Sequence, residues 1–132
     1  MTESIPEDLV YLLTTNVLAH VSALRRDHTM AHYLMWVDYD GRHVLTSSFL
    51  GSRKARNWSR DSRVTLSVVD KSDDWRYLII RGRVTATRPD EGLAFIDKLS
   101  MRYTGAPYRR RDAQREIFVI EPEWVRASRG RG

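Results

Sequence analysis

The sequence predicts a small, mainly β domain: a six-stranded antiparallel β-barrel with three short helices inserted. Three observations carry that class. From Val17 onward the chain runs in short apolar stretches broken by polar turns. One of these, residues 63–69, alternates strictly, with Val64, Leu66 and Val68 on one face and Thr65 and Ser67 on the other. Gly82 interrupts residues 76–87, a stretch long for a strand, where a kink or bulge would let a barrel turn its corner.

Taken in order, the chain opens with a short helix. Ser4 and Glu7 have capping-box spacing, and Leu9, Leu12 and Leu13 share a face, so the helix is expected to lie as a lid on something flat. Strands follow at residues 17–24, 30–37 and 43–48, with Asp40-Gly41 supplying a tight turn between the second and third. Residues 51–61 then read as one or two helical turns, opened by Gly51 and an N-cap at Ser52, and carrying Arg53, Lys54, Arg56 and Arg60 against Asp61. Strands at 63–69 and 76–87 come next, and Arg88-Pro89 ends the second. Residues 89–103 return to helical spacing, with Phe95, Ile96 and Leu99 on one side and Pro89 suited to the first helical position. The last strand is predicted at 117–120, and residues 126–132 are expected to be a flexible tail.

The 132 residues suit one domain spanning 1–132, large enough to hold a single core without staples. With 22 Lys+Arg against 17 Asp+Glu, the net charge is +5, a modest cationic bias. The absence of cysteine excludes disulfides, thiolate metal sites, iron–sulfur clusters and a cysteine nucleophile. No apolar run approaches the roughly 20 residues of a bilayer span, and the first residues lack the basic-then-apolar order of a signal peptide. A cytoplasmic protein is the expectation.

The chemistry-bearing candidates are few. Hydroxyls at Ser47, Ser48 and Ser52, followed by Arg53 and Lys54 at a helix start, form a candidate phosphate cradle, because exposed N–H groups and positive charge converge there. The competing reading is a solvated basic helix. His28 and His32 have i, i+4 spacing, but at the entrance to a strand that separation is about 13 Å, and no metal is expected. Asp73-Asp74 beside Lys71 and Arg76 reads as a polar loop, and no serine stands in a nucleophile-elbow context. No catalytic residue is singled out; if the protein is an enzyme, the difficult step belongs to a borrowed cofactor. Trp75, flanked by Asp74 and Arg76, is an odd indole that a planar ligand or a partner subunit would explain.

These residues carry a resemblance. The stretch Thr46-Ser47-Ser48-Phe49-Leu50-Gly51-Ser52-Arg53-Lys54-Ala55-Arg56-Asn57-Trp58, then Arg60-Asp61-Ser62-Arg63-Val64 and Tyr77 through Gly82-Arg83-Val84, resembles the pyridoxamine 5′-phosphate oxidase-like split β-barrel superfamily. Ala19-His20-Val21-Ser22-Ala23-Leu24 and the Asp40-Gly41 hairpin fit it as well, so the likeness covers roughly residues 5–125. Within that superfamily, the short length and the ending Glu121-Pro122-Glu123-Trp124-Val125 look like the actinobacterial flavin/deazaflavin oxidoreductases of the B type, which use the deazaflavin coenzyme F420. The arginine- and proline-rich dimerisation segment that ends true pyridoxamine phosphate oxidases is missing.

The resemblance implies a homodimer with cofactor sites at the subunit interface. It implies that Lys54, with Arg53, Ser52 and the Gly51 turn, holds the cofactor phosphate. Ser47, Ser48 and the backbone of Met35, Trp36 and Val37 would line the ring, Asn57 would bond the chain next to the phosphate, and Trp75 would reach in from the second subunit. The first reading is therefore an oxidoreductase that transfers hydride from reduced F420 to a small unsaturated or electrophilic molecule. An FMN-binding oxidase or flavin carrier on the same fold is the alternative. The F420 tail, a long anionic oligoglutamate, would favour an extended basic groove, for which Arg56, Arg60 and the Arg109-Arg110-Arg111 run are candidates. A nucleic-acid or polyanion binder is the reading from another class, favoured by the net charge and the Arg-Gly tail but lacking any recognisable motif.

Overall fold

The computed structural model describes residues 2–130. A 3-10 turn (Glu7–Leu9) and helix α1 (Tyr11–Thr14) precede strands β1 (Ala19–Leu24), β2 (Met30–Met35), β3 (Val37–Tyr39) and β4 (Val44–Phe49). Helix α2 (Arg53–Arg60), β5 (Arg63–Asp70), β6 (Asp73–Pro89), a second 3-10 turn (Glu91–Leu93), α3 (Ala94–Thr104) and β7 (Arg115–Arg129) complete the order. The strands form one sheet in the order β2-β1-β5-β6-β7-β4-β3, with every neighbouring pair antiparallel. The two outermost strands, β2 and β3, are consecutive in the chain and meet at Trp36. The first and last strands of the sheet are thus two arms of one bent segment, and the sheet curls back toward itself as a split barrel.

That bend is the reason for seven strands where six were expected. Val37 and Asp38 are both buried, which two successive residues of a straight strand with one wet face cannot be. At the corner, side chains take over the backbone bonds: the Thr46 hydroxyl donates to the Trp36 carbonyl at 2.8 Å, and the Val37 N–H donates to the Tyr103 hydroxyl at 3.3 Å. The alternation read at residues 63–69 holds, with Val64, Leu66 and Val68 buried inside. Gly82 sits at a register shift between β6 and β7, where a Cβ would come 2.1 Å from the Glu121 carbonyl oxygen; no side chain fits.

Several boundaries differ from expectation. The opening helix starts at Glu7 with Pro6 before it and no side-chain cap, so Ser4 plays no capping part, although Leu9, Leu12 and Leu13 are buried as expected. Pro89 closes β6 opposite Glu116 rather than starting a helix. The cap of α3 comes from Asp90, whose carboxylate accepts from Phe95 N and Ile96 N at 2.8 and 2.9 Å. Trp75 lies within β6, not in a loop. Residues 126–129 of the expected tail are the end of β7, paired with Arg76–Ile79, and Arg129 bonds Asp8 at 2.8 Å; residues 131 and 132 lie outside the described residues. Helix α2 is anchored by Trp58, 3% exposed, whose ring meets Phe118 edge-on at 4.9 Å. Among the described residues no helix is long and apolar enough to cross a membrane.

Candidate functional site

The site grows from the junction of β4 and α2. β4 ends with Ser47, Ser48 and Phe49, and Gly51, at a φ of +72° open to glycine, swings the chain into the helix. Ser52 is the N-cap read from the sequence: its Oγ accepts from Ala55 N at 3.2 Å and from the Ser48 hydroxyl at 2.9 Å. The Gly51 N–H donates to a Glu116 carboxylate oxygen at 3.1 Å, which ties the helix start to β7.

β7 begins there with Arg115, paired in register with Phe49 and only 8% exposed. Its Nε donates to Ser47 Oγ at 3.1 Å and its Nη1 to the Tyr108 hydroxyl at 3.2 Å, while the guanidinium lies 4.6 Å from the Phe49 ring. Lys54 faces the same space, its Nζ 4.9 Å from the centre of the Tyr33 ring. Burial lowers the pKa of both cations below their ordinary values, and the charge of Arg115 lowers that of Lys54 further. Neither forms an ion pair with a carboxylate among the described residues. Two partly desolvated positive charges that repel each other, with no carboxylate in ion-pair contact among the described residues and only the more distant charge of Asp90 acting on Arg115, are suited to receive an anion.

These groups open into a cavity of about 250 Å³. Of the residues read from the sequence, Met35, Trp36, Ser47, Ser48 and Lys54 line it, and Ser52 and Gly51 frame its helix end. Trp36 stacks on Tyr103, with centroids 5.2 Å apart and planes 13° apart, and Tyr108 meets it edge-on at 6.3 Å, so the indole is held as a wall. Arg53 and Asn57 turn elsewhere. Successive helical residues are rotated by about 100°, so Arg53 cannot share the direction of Lys54. Both face a groove of about 430 Å³ with Tyr33 and four further arginines, Arg25, Arg26, Arg56 and Arg60. The Asn57 amide donates to the Tyr33 hydroxyl at 3.2 Å and accepts from Arg60 at 2.9 Å. Val37 does not line the cavity: its side chain is in the core, and its N–H is taken by Tyr103. Trp75 lies at the start of β6, where its carbonyl accepts from Gly130 N, and is not part of the cavity wall.

The sequence reading missed Arg115 and Tyr108. The expected basic contribution of Arg109-Arg110-Arg111 to the groove is not realised. Arg111 is paired with Asp97 at 2.6 Å, Arg110 with Asp112 at 3.0 Å, and Arg109 faces a different cavity. Among the described residues no group of three or more His, Cys, Asp or Glu could hold a metal ion; the histidines that approach are His20 and His32, 3.4 Å apart across β1 and β2. The cavity wall carries cations, hydroxyls and aromatic rings but no carboxylate or imidazole. Such a wall can grip an anionic, flat ligand, and it leaves demanding chemistry to that ligand.

The chain matches, over residues 8–129, the family model described as pyridoxamine 5′-phosphate oxidase. It is similar to a solved structure named F420 reductase, with 31% identity over 92% of this chain and 98% of that one and a TM-score of 0.83. Two further solved structures share the fold: general stress protein 26 of Bacillus anthracis (15% identity, 95% and 94% of the two chains, TM-score 0.71) and HupZ of group A Streptococcus (14%, 97% and 99%, TM-score 0.63). No curated protein matches the sequence.

Proposed function

The chain belongs to the pyridoxamine 5′-phosphate oxidase family, and from that membership we propose an oxidoreductase that uses the deazaflavin coenzyme F420 to reduce a small unsaturated or electrophilic organic molecule. The observation that carries the reading is the pair Lys54 and Arg115, two cations on one cavity at the head of α2 that make no ion pair with a carboxylate among the described residues. A phosphate fits that donor set, since it would receive charge-assisted bonds from both and leave neither cation unpaired. The five arginines of the adjoining groove exceed what one phosphate needs, and they favour a ligand with further negative charge, such as the oligoglutamate tail of F420, over FMN. Similarity to a protein named F420 reductase supports the same choice.

When bound, the reduced deazaflavin supplies a hydride. The protein's share is binding, orientation and exclusion of water. Lys54 and Arg115 neutralise the phosphate. Ser47 and Tyr108 hold the Arg115 guanidinium in one orientation beside the cavity. Trp36, braced by Tyr103 and Tyr108, closes one side with a flat apolar surface.

The reading includes a homodimer that completes the site. Leu34, on the cavity rim, is 58% exposed, and Met30, further along β2, is 59% exposed; these are residues a second copy would cover. Trp75 is assigned to that contact, reaching toward the second chain's site. Light scattering at micromolar concentration should give a dimer, and a monomer would remove this part.

Fluorescence titrations with F420 and with FMN at two ionic strengths test the coenzyme. F420 should bind more tightly at low salt and lose affinity more steeply as salt rises, because more exposed charge pairs are screened. Tighter FMN binding with equal salt slopes would establish a flavin protein instead.

A further inference from the structure

Residues 105–114 join α3 to β7 and carry Tyr108 to the wall of the anion cavity. Among the described residues, 107–113 make no backbone-to-backbone hydrogen bond, so side chains hold this loop to the fold. Its far end is fixed by Arg110, whose guanidinium lies 4.5 Å from the centre of the Phe49 ring. The backbone at Tyr108 is fixed by one carboxylate of α3. Asp97 Oδ1 accepts from Tyr108 N at 3.0 Å and from Arg111 Nη1 at 2.6 Å, and Arg111 Nη1 also donates to the Tyr108 carbonyl at 3.2 Å. Tyr108 is thus tied to a single oxygen twice, directly and through Arg111. These bonds, that of Arg111 first, hold the Asp97 carboxyl below its ordinary pKa. The Tyr108 hydroxyl in turn accepts from Arg115 Nη1 at 3.2 Å, and its ring lies 4.9 Å from that guanidinium. Contacts therefore run from Asp97, which does not line the cavity, through Tyr108 to Arg115, which does.

We propose that Asp97 is the positioning residue of the anion site: by holding the backbone of Tyr108 it places the hydroxyl that orients Arg115, and so sets the affinity for the coenzyme phosphate from outside the cavity. The inference rests on the reading of the Lys54 and Arg115 cavity as the phosphate site. A guanidinium presents its N–H donors in one plane, and the fixed partners at Ser47 and Tyr108 decide how that plane lies before a ligand arrives. An arginine already held loses less side-chain freedom on binding, which raises affinity. Without Asp97 the Tyr108 N–H has no protein acceptor and Arg111 has no anchor, so the loop opens locally and the hydroxyl leaves Arg115. The competing role for Asp97 is structural, since a carboxylate in the first turn of a helix also stabilises that helix. Ligand affinity separates the two roles.

The test combines F420 fluorescence titrations with thermal melts on the unaltered chain, Asp97→Ala, Tyr108→Phe and the double variant. The Asp97 side chain is 29% exposed, a position whose truncation the fold tolerates. Asp97→Ala should raise the Kd about three- to tenfold, the worth of one hydrogen bond, and Tyr108→Phe should raise it by a similar factor. The double variant should match Tyr108→Phe within about twofold, because Asp97 acts through a hydroxyl that is already gone. Asp97→Asn, which keeps an oxygen for the Tyr108 N–H, should recover most of the affinity. Trypsin should cleave at Arg109–Arg111 faster in Asp97→Ala, and F420 should slow that cleavage in the unaltered protein, since a ligand that prefers the held loop must also hold it. A lowered Tm with unchanged Kd would overturn the proposal and make Asp97 a helix brace. Factors that multiply in the double variant would overturn it too, by separating Asp97 from the hydroxyl. Titration with inorganic phosphate, read by tryptophan fluorescence at low salt, tests the role apart from the coenzyme. Phosphate binding weakened by Asp97→Ala in a chain that binds no F420 would fail the coenzyme reading and support the positioning role, whereas binding of neither anion would overturn both.

Discussion

Replacing Arg115 by methionine separates a residue kept for a ligand from one kept for the fold. In the coenzyme-free protein the change removes two hydrogen bonds, to Ser47 Oγ and to the Tyr108 hydroxyl, each contributing about 1 kcal/mol net. Both hydroxyls border a cavity, so water can replace the lost donor. Against that loss stands a cation held at 8% exposure with no carboxylate in ion-pair contact, whose desolvation costs on the order of several kcal/mol and is offset only in part by the more distant charge of Asp90 and by the Phe49 and Tyr108 rings. The stability of the coenzyme-free Arg115→Met protein should therefore equal or exceed that of the unaltered one, as read from urea unfolding. Its F420 affinity should fall by about 1.5–3 kcal/mol, the range for a hydrogen bond to a charged group, which is roughly 10- to 150-fold in Kd. Arg115→Lys should fall between, since an ammonium keeps the charge but cannot bridge Ser47 and Tyr108 with a planar fork. A methionine variant destabilised by several kcal/mol with unchanged F420 affinity would refute the reasoning and make Arg115 a structural brace.

Lys54→Glu should weaken F420 binding by about 2–5 kcal/mol, through a lost charge-assisted bond and added repulsion, and its Tm without ligand should hardly move because only the contact with Tyr33 is lost; titration and a thermal melt measure the two. The Trp58 Nε1 is buried without a partner, so Trp58→Phe should cost little, as an unsatisfied donor leaves with the volume, whereas Trp58→Ala should cost about 3–5 kcal/mol, and chemical unfolding of the pair checks the difference. Acid should destabilise the fold. Hydrogen bonds from Arg63 bring the Asp61 carboxyl down to about 2, and those from Ser72 and Tyr11 bring Asp70 to about 2. Burial pushes the Asp38 carboxyl up, but bonds from Lys98, the Tyr39 backbone and Arg102 outweigh it and leave the pKa lowered. Groups whose pKa is lower folded than unfolded stabilise the protein fully above the ordinary carboxylate range and lose that contribution as pH falls toward about 2. Urea unfolding at pH 7, 4 and 3 should show the decline between the last two, and a flat profile would contradict it.

What could be read from the sequence was what local chemistry decides. The turn at Gly51, the cap at Ser52 and the alternation of β5 each depend on neighbours a few residues away, and each is found where it was expected. The bend at Trp36 was hidden because both of its arms are apolar, and only packing against α3 shows that the chain changes direction there. Pro89 was assigned to a helix on a preference that its pairing with Glu116 overrides. Arg115 was the largest omission in the site. It is one of 22 Lys+Arg, and its burial comes from pairing with Phe49 and a contact with Ser47, 68 residues away in sequence. No short-range pattern distinguishes it from the solvated arginines of the preceding loop.

The position of β7 has a consequence for the order in which the molecule can be made. Of the seven described strands this one is synthesised last, yet it lies between β6 and β4 and pairs with both. Until β7 has emerged, β4 and β6 expose unpaired edges, and the half-built sheet carries the hazard of open strands. The anion cavity is equally late: Ser47 and Lys54 emerge early, but their space has no second cation before Arg115 arrives. A chain that still lacks β7 therefore has only part of the site, and a ligand selective for the finished site draws the equilibrium toward the closed barrel only after β7 has paired.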